Sequence, residues 1–567
     1  MEGRPNLRLL ILLTVLTLVA VGLAGYGWLH DPHRDLRDAI YLALRSTDGG
    51  EAYEHVAREP FDNFALEAGR FLGAFVEPLA FVVVFVSLFG KSLIGISARW
   101  RRKHVVVVGS SVFADKLSEH QGAAIVHLRG IDDEAQRKGR SIRLPFGGFD
   151  ARGLLAGGAA KASSIVIAPE SDAQAIDLGM SAQRLYPQAQ VIVRLHDFWL
   201  AERLHNTPGA DRLSAISEPC LAARFVVRNY PPFLVAEDLG QTRIHALLVG
   251  DHDWLEAAMS EIILSACTLT FGKPIFSFIC LEPQAFRTRL VRRYPEIEAA
   301  ADLYFYSTRQ VDDIEIVSVD MAQVVAPAPL TAVYCLVKEG AHALSSALEF
   351  IQQAREVSDF SAPVFTLSGG HGGQRLAAGS RLEPMQILAF GDMADLVAAS
   401  GVLAEQADVA EREFHRAYLK IADSHNDAAK PWDELKEEYR VSNRRAVSHM
   451  YAKLFDAGFD LRTWMEKNDI WTQLPNLAAG EALYRDGLEL ERLAELEHER
   501  WIADRRMSGW RYGETRDNRS KRHPDMKPYA QLTNDIQDFD RVLIGKLDEV
   551  LRRQTGTMKR KSAGPKS

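Results

Sequence analysis

Apolar residues cluster first in two long runs near the N-terminus. Leu9–Leu29 contains 21 residues without a charge, and Phe71–Gly90 is a second run that includes only one acid, Glu77, and one proline, Pro78. Each run is long enough to cross about 30 Å of hydrocarbon at a rise of about 1.5 Å per residue. The pattern therefore predicts two membrane-spanning helices, with a cleaved signal peptide as the alternative for the first run.

The pattern changes to short β-branched runs that alternate with helical stretches. One series occupies Lys103–Glu237 and begins with "HVVVVGSS"; a second occupies Gln241–Ala404 and begins with "RIHALLVGD". Buried parallel strands have this composition, and helices must connect them. The sequence predicts two tandem Rossmann-like α/β units.

A third region is richer in aromatic and basic residues and contains an internal repeat. The motif P-[WY]-x-x-L-x7-[ND]-R begins at Pro431 and again at Pro528, 97 positions later (528 minus 431). Two copies with the same internal spacing indicate a duplicated module with pseudo-twofold symmetry. This region is predicted to be mainly helical.

These patterns divide the chain into five predicted parts. They are a two-helix transmembrane domain at 1–103 with an extracellular or re-entrant loop at 30–70, a first Rossmann-like domain at 104–240, a second, degenerate one at 241–422, a duplicated sensor domain at 423–553, and a disordered basic tail at 554–567.

Charge orients the membrane segments but suggests no nucleic-acid partner. Lys91–Lys103 carries five basic residues and no acid, whereas the loop at 30–70 carries nine acids against five basic residues. The positive-inside rule then places both chain ends in the cytoplasm, as for a multi-pass protein of the inner (cytoplasmic) bacterial membrane. The net charge of −8 and the pI near 6.1 argue against nucleic acid.

The four cysteines lie far apart, without a CxxC pair. This spacing predicts neither a disulfide framework nor a zinc site, and no other metal-ligand spacing is present.

The first glycine turn is only a weak candidate for a dinucleotide site. Gly109 has the expected position, but Ser111 stands where a pyrophosphate needs a glycine, and Arg129 replaces the ribose-binding acid at the end of the second strand. In the second unit Gly250 is followed by Asp251, which would repel a pyrophosphate. A Rossmann scaffold without dinucleotide is favoured in both units.

Together, the two apolar runs, the basic linker, "HVVVVGSS", "SSIVIAPESDAQAIDL" and "AQVIVRLHD" resemble a two-helix potassium channel joined to its regulator-of-conductance (RCK, TrkA-N type) domain. The resemblance covers about 7–240, with a weaker second copy to about 405. It implies a homo-oligomer, plausibly a tetramer, in which a ring of Rossmann units moves the membrane helices when a cytoplasmic ligand binds.

The segment "DAIYLALRSTDGGEAYEH" begins like a pore helix of such a channel but lacks its filter. Arg45 precedes Thr47, Asp48 stands at the position of the filter valine, and Glu51 stands at that of the last filter glycine, so that "DGGE" replaces Val-Gly-Tyr-Gly. A potassium filter needs stacked backbone carbonyls, which this segment does not rebuild. These four residues are the candidate pore region of a segment that has lost potassium selectivity.

The C-terminal region carries the strongest candidate for a binding site. His498, Trp501 and Arg505 share one helix face, and a loop rich in Arg and Lys follows Gly509. Aromatic rings and guanidinium groups together suit a nucleotide-like ligand with a ring and phosphates. The alternative is that the tryptophans are core and the charges are solvated. The candidate ligand-binding residues are Trp432, Arg444, His498, Trp501, Arg505, Trp510, Tyr512, Arg516, Lys521, His523 and Tyr529.

The same stretch resembles a ryanodine-receptor (RyR) repeat over about 425–553. The residues that carry the resemblance are Leu493-Ala494-Glu495, His498, Trp501, Gly509-Trp510, Tyr512-Gly513, Arg516-Asp517, His523-Pro524, Pro528-Tyr529, Leu532 and Asp540-Arg541. The resemblance implies a ligand-sensing module.

Three functions compete on this evidence. The favoured one is a ligand-gated, ion-channel-like membrane protein, used as a bacterial stress or antiphage effector. The second is a non-conducting, membrane-anchored regulator or sensor scaffold. An NAD(P)-dependent oxidoreductase is the weakest, because both glycine turns are damaged. No nucleophile, phosphate loop or metal motif is present, so no enzyme is expected.

Overall fold

The protein is described here by a computed structural model. It describes residues 7–31, 35–45, 64–119, 124–130, 136–138, 140–146, 151–204, 207, 209–210, 212–265, 267–307, 309–311, 314–316, 320–337, 345–352, 361–368, 387–401, 409–419, 427–471, 473–553 and 556–561. The chain forms two compact units, one made of 1–101 with 132–145 and the other of 102–131 with 146–567. The smaller unit thus includes a short hairpin that the sequence placed in the first Rossmann domain.

The smaller unit is mainly helical. Its elements are helices α1 (Leu7–Leu29), α2 (Leu36–Arg45), α3 (Phe64–Gly73) and α4 (Val76–Trp100), with an antiparallel hairpin of β3 (Gln136–Lys138) and β4 (Ser141–Pro145). Two segments are apolar and long enough to cross a membrane, Leu12–Leu29 and Phe64–Phe85. The second begins earlier than predicted and contains a turn after Gly73. The basic stretch predicted as a linker is helical as far as Trp100.

Helices α1 and α3 pack with their backbones in contact. A Cβ on Gly69 would lie 2.6 Å from the Ala24 nitrogen, and a Cβ on Gly27 would lie 2.8 Å from the Cβ of Leu66. Small residues allow this close approach, which is the usual way in which apolar helices pack without a hydrophobic driving force. Helix α2 adds Ala39 and Ala43 to the same buried cluster.

The larger unit contains two parallel sheets. In the first, strands follow the order β2-β1-β5-β6-β7; in the second, the order is β10-β9-β8-β13-β14-β15. The unit also has a small antiparallel pair, β11–β12, and a two-residue pair, β16–β17. Its strands are β1 (Val105–Val108), β2 (Ile125–Arg129), β5 (Ser164–Ile167), β6 (Gln190–Leu195), β7 (Ser214–Ser217), β8 (Arg243–Gly250), β9 (Gly272–Cys280), β10 (Asp302–Ser307), β11 (Arg309–Val311), β12 (Ile314–Ile316), β13 (Ala332–Leu336), β14 (Val364–Leu367), β15 (Ile387–Phe390), β16 (Arg511–Tyr512) and β17 (Arg522–His523).

Helices connect these strands and form the C-terminal domain. They are α5 (Val112–Glu119), α6 (Asp172–Leu185), α7 (Phe198–Arg203), α8 (Glu218–Asn229), α9 (Pro232–Asp238), α10 (His252–Ser265), α11 (Pro283–Arg293), α12 (Ile297–Ala300), α13 (Met321–Val325), α14 (Met393–Ala399), α15 (Val409–Tyr418), α16 (Glu437–Ser448), α17 (Met450–Asp456), α18 (Leu461–Lys467), α19 (Gly487–Met507) and α20 (Asn534–Leu551). Strand-helix alternation followed by helices confirms the predicted fold class: two apolar helices, two Rossmann-like sheets and a mainly helical C-terminal domain.

The two Rossmann-like units share one hydrophobic core with the C-terminal domain. Helix α8 of the first unit packs on α10 of the second, and α14, which follows the last strand of the second sheet, packs on α8 and α5. Apolar residues from all three regions, such as Val226, Ile262 and Leu454, are fully buried in this core. The predicted boundaries near 240 and 422 therefore separate elements that pack together.

The residues after the last helix pack on the C-terminal domain as far as 561. Met558 is buried, and the Arg560 guanidinium lies 4.8 Å from the centre of the Phe459 ring and donates to the Ala482 and Leu483 carbonyls. The expectation of a disordered tail from 554 is therefore wrong for residues 556–561, because one apolar and one planar cationic side chain find partners there.

Candidate functional site

The repeated motif forms the same turn twice. Pro431 and Pro528 have nearly the same backbone angles (φ −53° and ψ 148°; φ −54° and ψ 142°), and each precedes a single 3-10 turn. Each turn leads through a buried leucine, Leu435 or Leu532, into a helix, α16 or α20. The structure thus has the local duplication that the sequence predicts.

A buried histidine caps each of these turns. His415 Nε2 donates to the Lys430 carbonyl at 2.7 Å, and His498 Nε2 donates to the Lys527 carbonyl at 2.9 Å. Each carbonyl belongs to the residue directly before the repeat proline. The two imidazoles are 1% and 3% exposed. The equivalence therefore extends beyond the sequence motif to the preceding helices, α15 and α19.

The other nitrogen of each imidazole meets the [ND] position of the repeat, and there the halves differ. Asn443 Nδ2 donates to His415 Nδ1 at 3.5 Å, which requires a neutral imidazole. Asp540 Oδ2 lies 3.5 Å from His498 Nδ1 and can only accept when it is ionised. One ring is thus held neutral, whereas the other is placed against a carboxylate.

The pKa values follow this difference. Burial lowers the pKa of His415, against a smaller opposing effect of the Lys430 carbonyl. Burial also acts to lower the pKa of His498, but the hydrogen bond and charge of Asp540 raise it overall. Burial in turn raises the pKa of Asp540 to about 6.

An aromatic ring stacks on each buried histidine. Tyr418 lies 6.1 Å from His415 with an interplanar angle of 25°, and Trp501 lies 5.6 Å from His498 with an angle of 20°. Both aromatic side chains follow their histidine by three residues on a helix, and both are half-buried. We call Tyr418 and Trp501 the two aromatic platforms.

Around Trp501 the structure brings together most of the predicted ligand-binding residues. The His523 ring is edge-on to Trp501 at 5.0 Å and to Trp510 at 6.0 Å. The Arg505 guanidinium lies 5.7 Å from Trp501 and 5.6 Å from Trp510. Tyr529 completes the group, 5.9 Å from His498. The predicted face of α19 is thus the floor of an aromatic and cationic cluster.

Burial is the main cause of two low pKa values in this cluster. It lowers the pKa of His523 to about 4, with smaller contributions from Arg516 and Arg505. It lowers the pKa of Lys521 to about 8; Arg203 and Arg505 add to that effect, and Glu438 opposes it. The His523 ring is therefore neutral near pH 7, and the cations of the cluster are Arg505, Arg516 and Lys521.

The remaining predicted residues lie at the edge of the cluster or apart from it. Tyr512 and Arg516 are exposed on the loop, where Arg516 Nε donates to Asn518. Trp432 is buried in the first half, between Arg412 at 5.6 Å and Arg440 at 5.9 Å. Arg444 pairs with Glu437 at 2.6 Å. Trp432 and Arg444 thus contact first-half residues rather than the cluster around Trp501.

Two contacts fasten the loop of this cluster to both Rossmann-like units. Arg203 Nη1 of the first unit and Lys521 Nζ donate to the Ser508 carbonyl, at 2.7 Å and 2.9 Å. Glu296 of the second unit accepts from the Tyr512 backbone nitrogen at 2.7 Å and pairs with Arg506 at 3.3 Å. We call this set of contacts the loop joint.

The glycine turn of the first Rossmann-like unit packs closely against the end of the neighbouring strand β5. Gly109 has a φ of +123°, and a Cβ there would lie 2.3 Å from the Ala168 carbonyl oxygen. Ser111 accepts from the Ala114 nitrogen, and Arg129 pairs with Asp115 at 3.1 Å. The polar groups of the predicted cofactor site are thus engaged within the turn itself, and a bound dinucleotide there stays a prediction.

Of the candidate pore residues, only the backbone of Arg45 is described, at the end of α2. Thr47, Asp48 and Glu51 lie outside the described residues. Among the described residues, no group of three or more His, Cys, Asp or Glu side chains could hold a metal ion.

Several residues of the site were missed by sequence reasoning. Tyr418, His415 and Arg203 belong to segments outside the motif, and Glu438, 3.6 Å from Arg505, was not singled out. A histidine followed three residues later by an aromatic residue occurs in both halves, and this shared spacing could have revealed Tyr418.

Comparison with protein families finds a match in the C-terminal domain. Residues 488–552 match the model of the RyR domain, so the predicted RyR-like character is confirmed over that range. The match covers Trp501, Trp510, His523 and Tyr529. The first half of the repeat lies outside it. Among curated proteins, no relative was found.

Solved structures that are similar to the chain include those of GsuK. GsuK bound to ADP is 14% identical, with 70% of this chain and 96% of that chain covered and a TM-score of 0.32. The GsuK channel bound to NAD is 14% identical, with 72% and 86% covered and a TM-score of 0.33. The GsuK RCK domain is 10% identical, with 56% and 78% covered and a TM-score of 0.32. At these identities and TM-scores the likeness carries no functional information.

Proposed function

We propose that this protein is a ligand-gated membrane protein of channel-like architecture whose RyR-type domain senses a nucleotide-like molecule. The observation that carries the proposal is the cluster of Trp501, Trp510 and His523 around Arg505. Rings of this kind stack with bases, and guanidinium groups bind phosphates. Arg505 beside Trp501 and Trp510, and Lys521 on the following loop, supply positive charge for an anionic ligand.

The loop joint supports transmission of the signal to the Rossmann-like units. Trp510 lies between Ser508 and Tyr512, the two residues held by Arg203 and Glu296. A ligand that displaces Trp510 must therefore also change these contacts. A ligand shifts a conformational equilibrium only through such differential contacts. We propose that the Rossmann-like units of a homo-oligomer, a tetramer in this proposal, then act on the apolar helices in the bilayer.

In this proposal the protein acts by binding and gating, not by catalysis. Opening a pore would depolarise a bacterial inner membrane, so we assign the protein to a stress or antiphage response. Cells that express the protein should depolarise, by a voltage-sensitive dye, when a nucleotide synthase is induced. Cells that stay polarised while the synthase product accumulates and binds would contradict this assignment.

Conductance of the reconstituted protein tests the channel part of the proposal. Planar bilayers that contain the full chain should conduct after addition of AMP, NAD or a cyclic dinucleotide, and conduct little before. Silence in every condition, while one of these nucleotides binds in a titration, would establish the alternative, a non-conducting anchored sensor.

Two substitutions test the location of the sensor. Trp510→Ala and Arg516→Ala should each weaken binding by about 10-fold, since the first removes a buried ring that packs on His523 and Arg505 and the second removes a charge. Arg519→Ala, an exposed arginine on the same loop, is the matched control and should change the affinity by less than about 2-fold. Equal affinities for all three variants and the native protein would show that the site lies elsewhere.

A further inference from the structure

The two halves of the C-terminal domain present equivalent ring surfaces. Tyr418 and Trp501 each stack on a buried histidine, and each histidine is bonded to the carbonyl that precedes a repeat proline. Both platform residues are half-buried, whereas the histidines below them are almost fully buried. A half-buried ring on a rigid base is a suitable surface for stacking a ligand base.

The platforms are connected through helix α20, by way of Phe539 and Asp540. Tyr418 lies 6.1 Å from Phe539, whose neighbour in the chain is Asp540, and Asp540 faces the His498 ring under Trp501. The two rings therefore belong to one packed group rather than to opposite ends of the domain.

Arg505 contacts both halves. Its guanidinium lies 5.7 Å from the centre of the Trp501 ring, and its Nη1 lies 3.6 Å from Glu438 on α16 of the first half. The charges of Arg505 and Arg516 also act against the rise that burial causes in the pKa of Tyr418. Arg505 thus lies where the two halves meet.

We propose that the two halves form one site for a dinucleotide, in which Tyr418 stacks one base, Trp501 stacks the other, and Arg505 and Arg516 bind the phosphates between them. This inference rests on the proposed function and names its ligand class. A mononucleotide can engage only one platform at a time, whereas two bases joined through phosphates engage both.

Calorimetric titration of the full-length, detergent-solubilised protein tests this inference. The probes are AMP, the linear dinucleotide pApA, cyclic di-AMP and NAD, which differ in the linkage between two bases. At least one of the three two-base probes should bind at least about 10-fold more tightly than AMP, with one molecule per chain, because stacking of a second base strengthens binding by about 10-fold or more.

Substitution of either platform should weaken that binding similarly. Tyr418→Ala and Trp501→Ala should each lower the affinity for the tightest two-base probe by about 10- to 100-fold. Tyr418→Phe and Trp501→Phe keep a ring and should recover most of it, which separates stacking from loss of folding. Tyr304→Ala, at an exposed tyrosine on strand β10, is the matched control and should bind normally.

The possible outcomes separate this inference from the proposed function. If AMP binds as tightly as every two-base probe, or binds twice per chain, or if Tyr418→Ala is silent while Trp501→Ala abolishes binding, the dinucleotide site is wrong and the sensor proposal stands. If none of the four nucleotides binds, both are wrong.

Discussion

The two halves of the C-terminal domain have the same local arrangement but differ in the polar group that faces the buried histidine. Each half places an aromatic ring on a buried histidine and caps a Pro-initiated turn with that histidine. The first half completes the network with the neutral amide of Asn443, and the second with the carboxyl of Asp540. One atom type at one position therefore decides whether the pKa of the buried imidazole is lowered or raised.

The halves also differ in how they join the Rossmann-like units. The first half contacts the first unit, with Ser214 Oγ donating to Glu437 at 2.7 Å and Arg445 paired with Glu202 at 3.0 Å, and it contacts the second unit through His449 Nε2, which donates to the Cys267 carbonyl at 2.7 Å. The second half reaches both units through the loop joint. The comparison teaches that the first half anchors the domain, whereas the second carries the cationic loop on which we place the ligand phosphates.

Removal of the buried histidines should give the largest difference between the halves. His498→Ala leaves Asp540 buried beside an empty space, which should cost about 3–5 kcal/mol. His415→Ala removes packing and neutral hydrogen bonds, which should cost about 2–4 kcal/mol. Native-state hydrogen exchange of α20 and α15 in the full chain measures both.

A second variant separates lost charge pairing from lost packing. His498→Ala combined with Asp540→Asn should recover about 1–2 kcal/mol relative to His498→Ala alone, because no charge is then left unpaired. No recovery, together with equal losses for the two histidine variants, would remove the electrostatic distinction between the halves.

Exchange of the [ND] residues should transfer the pH dependence between the halves. The raised pKa of His498 gives stability that is present below about pH 6.5 and is lost as the pH rises through its folded pKa. The pKa of Asp540 near 6, above its usual 3.8, likewise makes stability fall as the pH rises from about 4 to 6. The second half should lose about 1–3 kcal/mol over this range as one coupled pair.

Asp540→Asn should remove this fall in stability, and Asn443→Asp should introduce it at His415. Hydrogen exchange of α20 and α15 between pH 4 and 7.5 is the measurement. If Asp540→Asn keeps the native pH profile, another group titrates in the second half.

The joints should differ in how they affect the response to ligand. Arg203→Ala frees the Ser508 carbonyl from the first Rossmann-like unit, so the ligand concentration for half-maximal conductance should rise about 10-fold, about 1.4 kcal/mol of coupling. The dissociation constant should change by less than about 3-fold. Ser214→Ala removes the contact between the first Rossmann-like unit and Glu437 of the first half, and it should change the ligand concentration for half-maximal conductance by less than about 2-fold. Equal effects of both variants would show that the two halves do not differ in how they transmit the ligand signal.

The smallest expected effect concerns the repeat aromatic of the second half. Tyr529→Phe removes the hydrogen bond from the hydroxyl to Glu491 at 3.2 Å, while Arg541 keeps its pair with the same carboxylate. The loss should be about 0.5–1 kcal/mol in the hydrogen exchange of α20. Trp432, at the same repeat position in the first half, has no hydroxyl and cannot make this hydrogen bond. A loss larger than about 1 kcal/mol for Tyr529→Phe would show that Glu491 depends on Tyr529 for its position.

Local patterns predicted the elements that are formed by nearby residues. The apolar runs, the alternation of strands and helices, and the repeat at Pro431 and Pro528 are periodic signals within one segment. The first apolar run, the alternation and the repeat have their expected form in the structure, whereas the second apolar segment begins earlier and contains a turn after Gly73. The face of His498, Trp501 and Arg505 is likewise a property of helical spacing.

Such local patterns did not predict the contacts between distant segments of the chain. Tyr418 pairs with the first repeat as Trp501 pairs with the second, but the helices are offset by 83 positions (498 minus 415) and the turns by 97, so no single shift aligns both. Arg203 reaches Ser508 from 305 positions away. Met558 and Arg560 were expected in a mobile tail because few charged, glycine-containing segments bury a surface of their own.

The sequence by itself determined the class of each region and the chemistry of the candidate site. Hydrophobic periodicity and turn residues are local causes, and they suffice to make helices, strands and a repeated turn. Only the tertiary structure decided which rings pack together and which of the two buried histidines faces a carboxylate. Those outcomes depend on burial and on which amide or carboxylate faces each nitrogen, and both arise only when distant segments pack together.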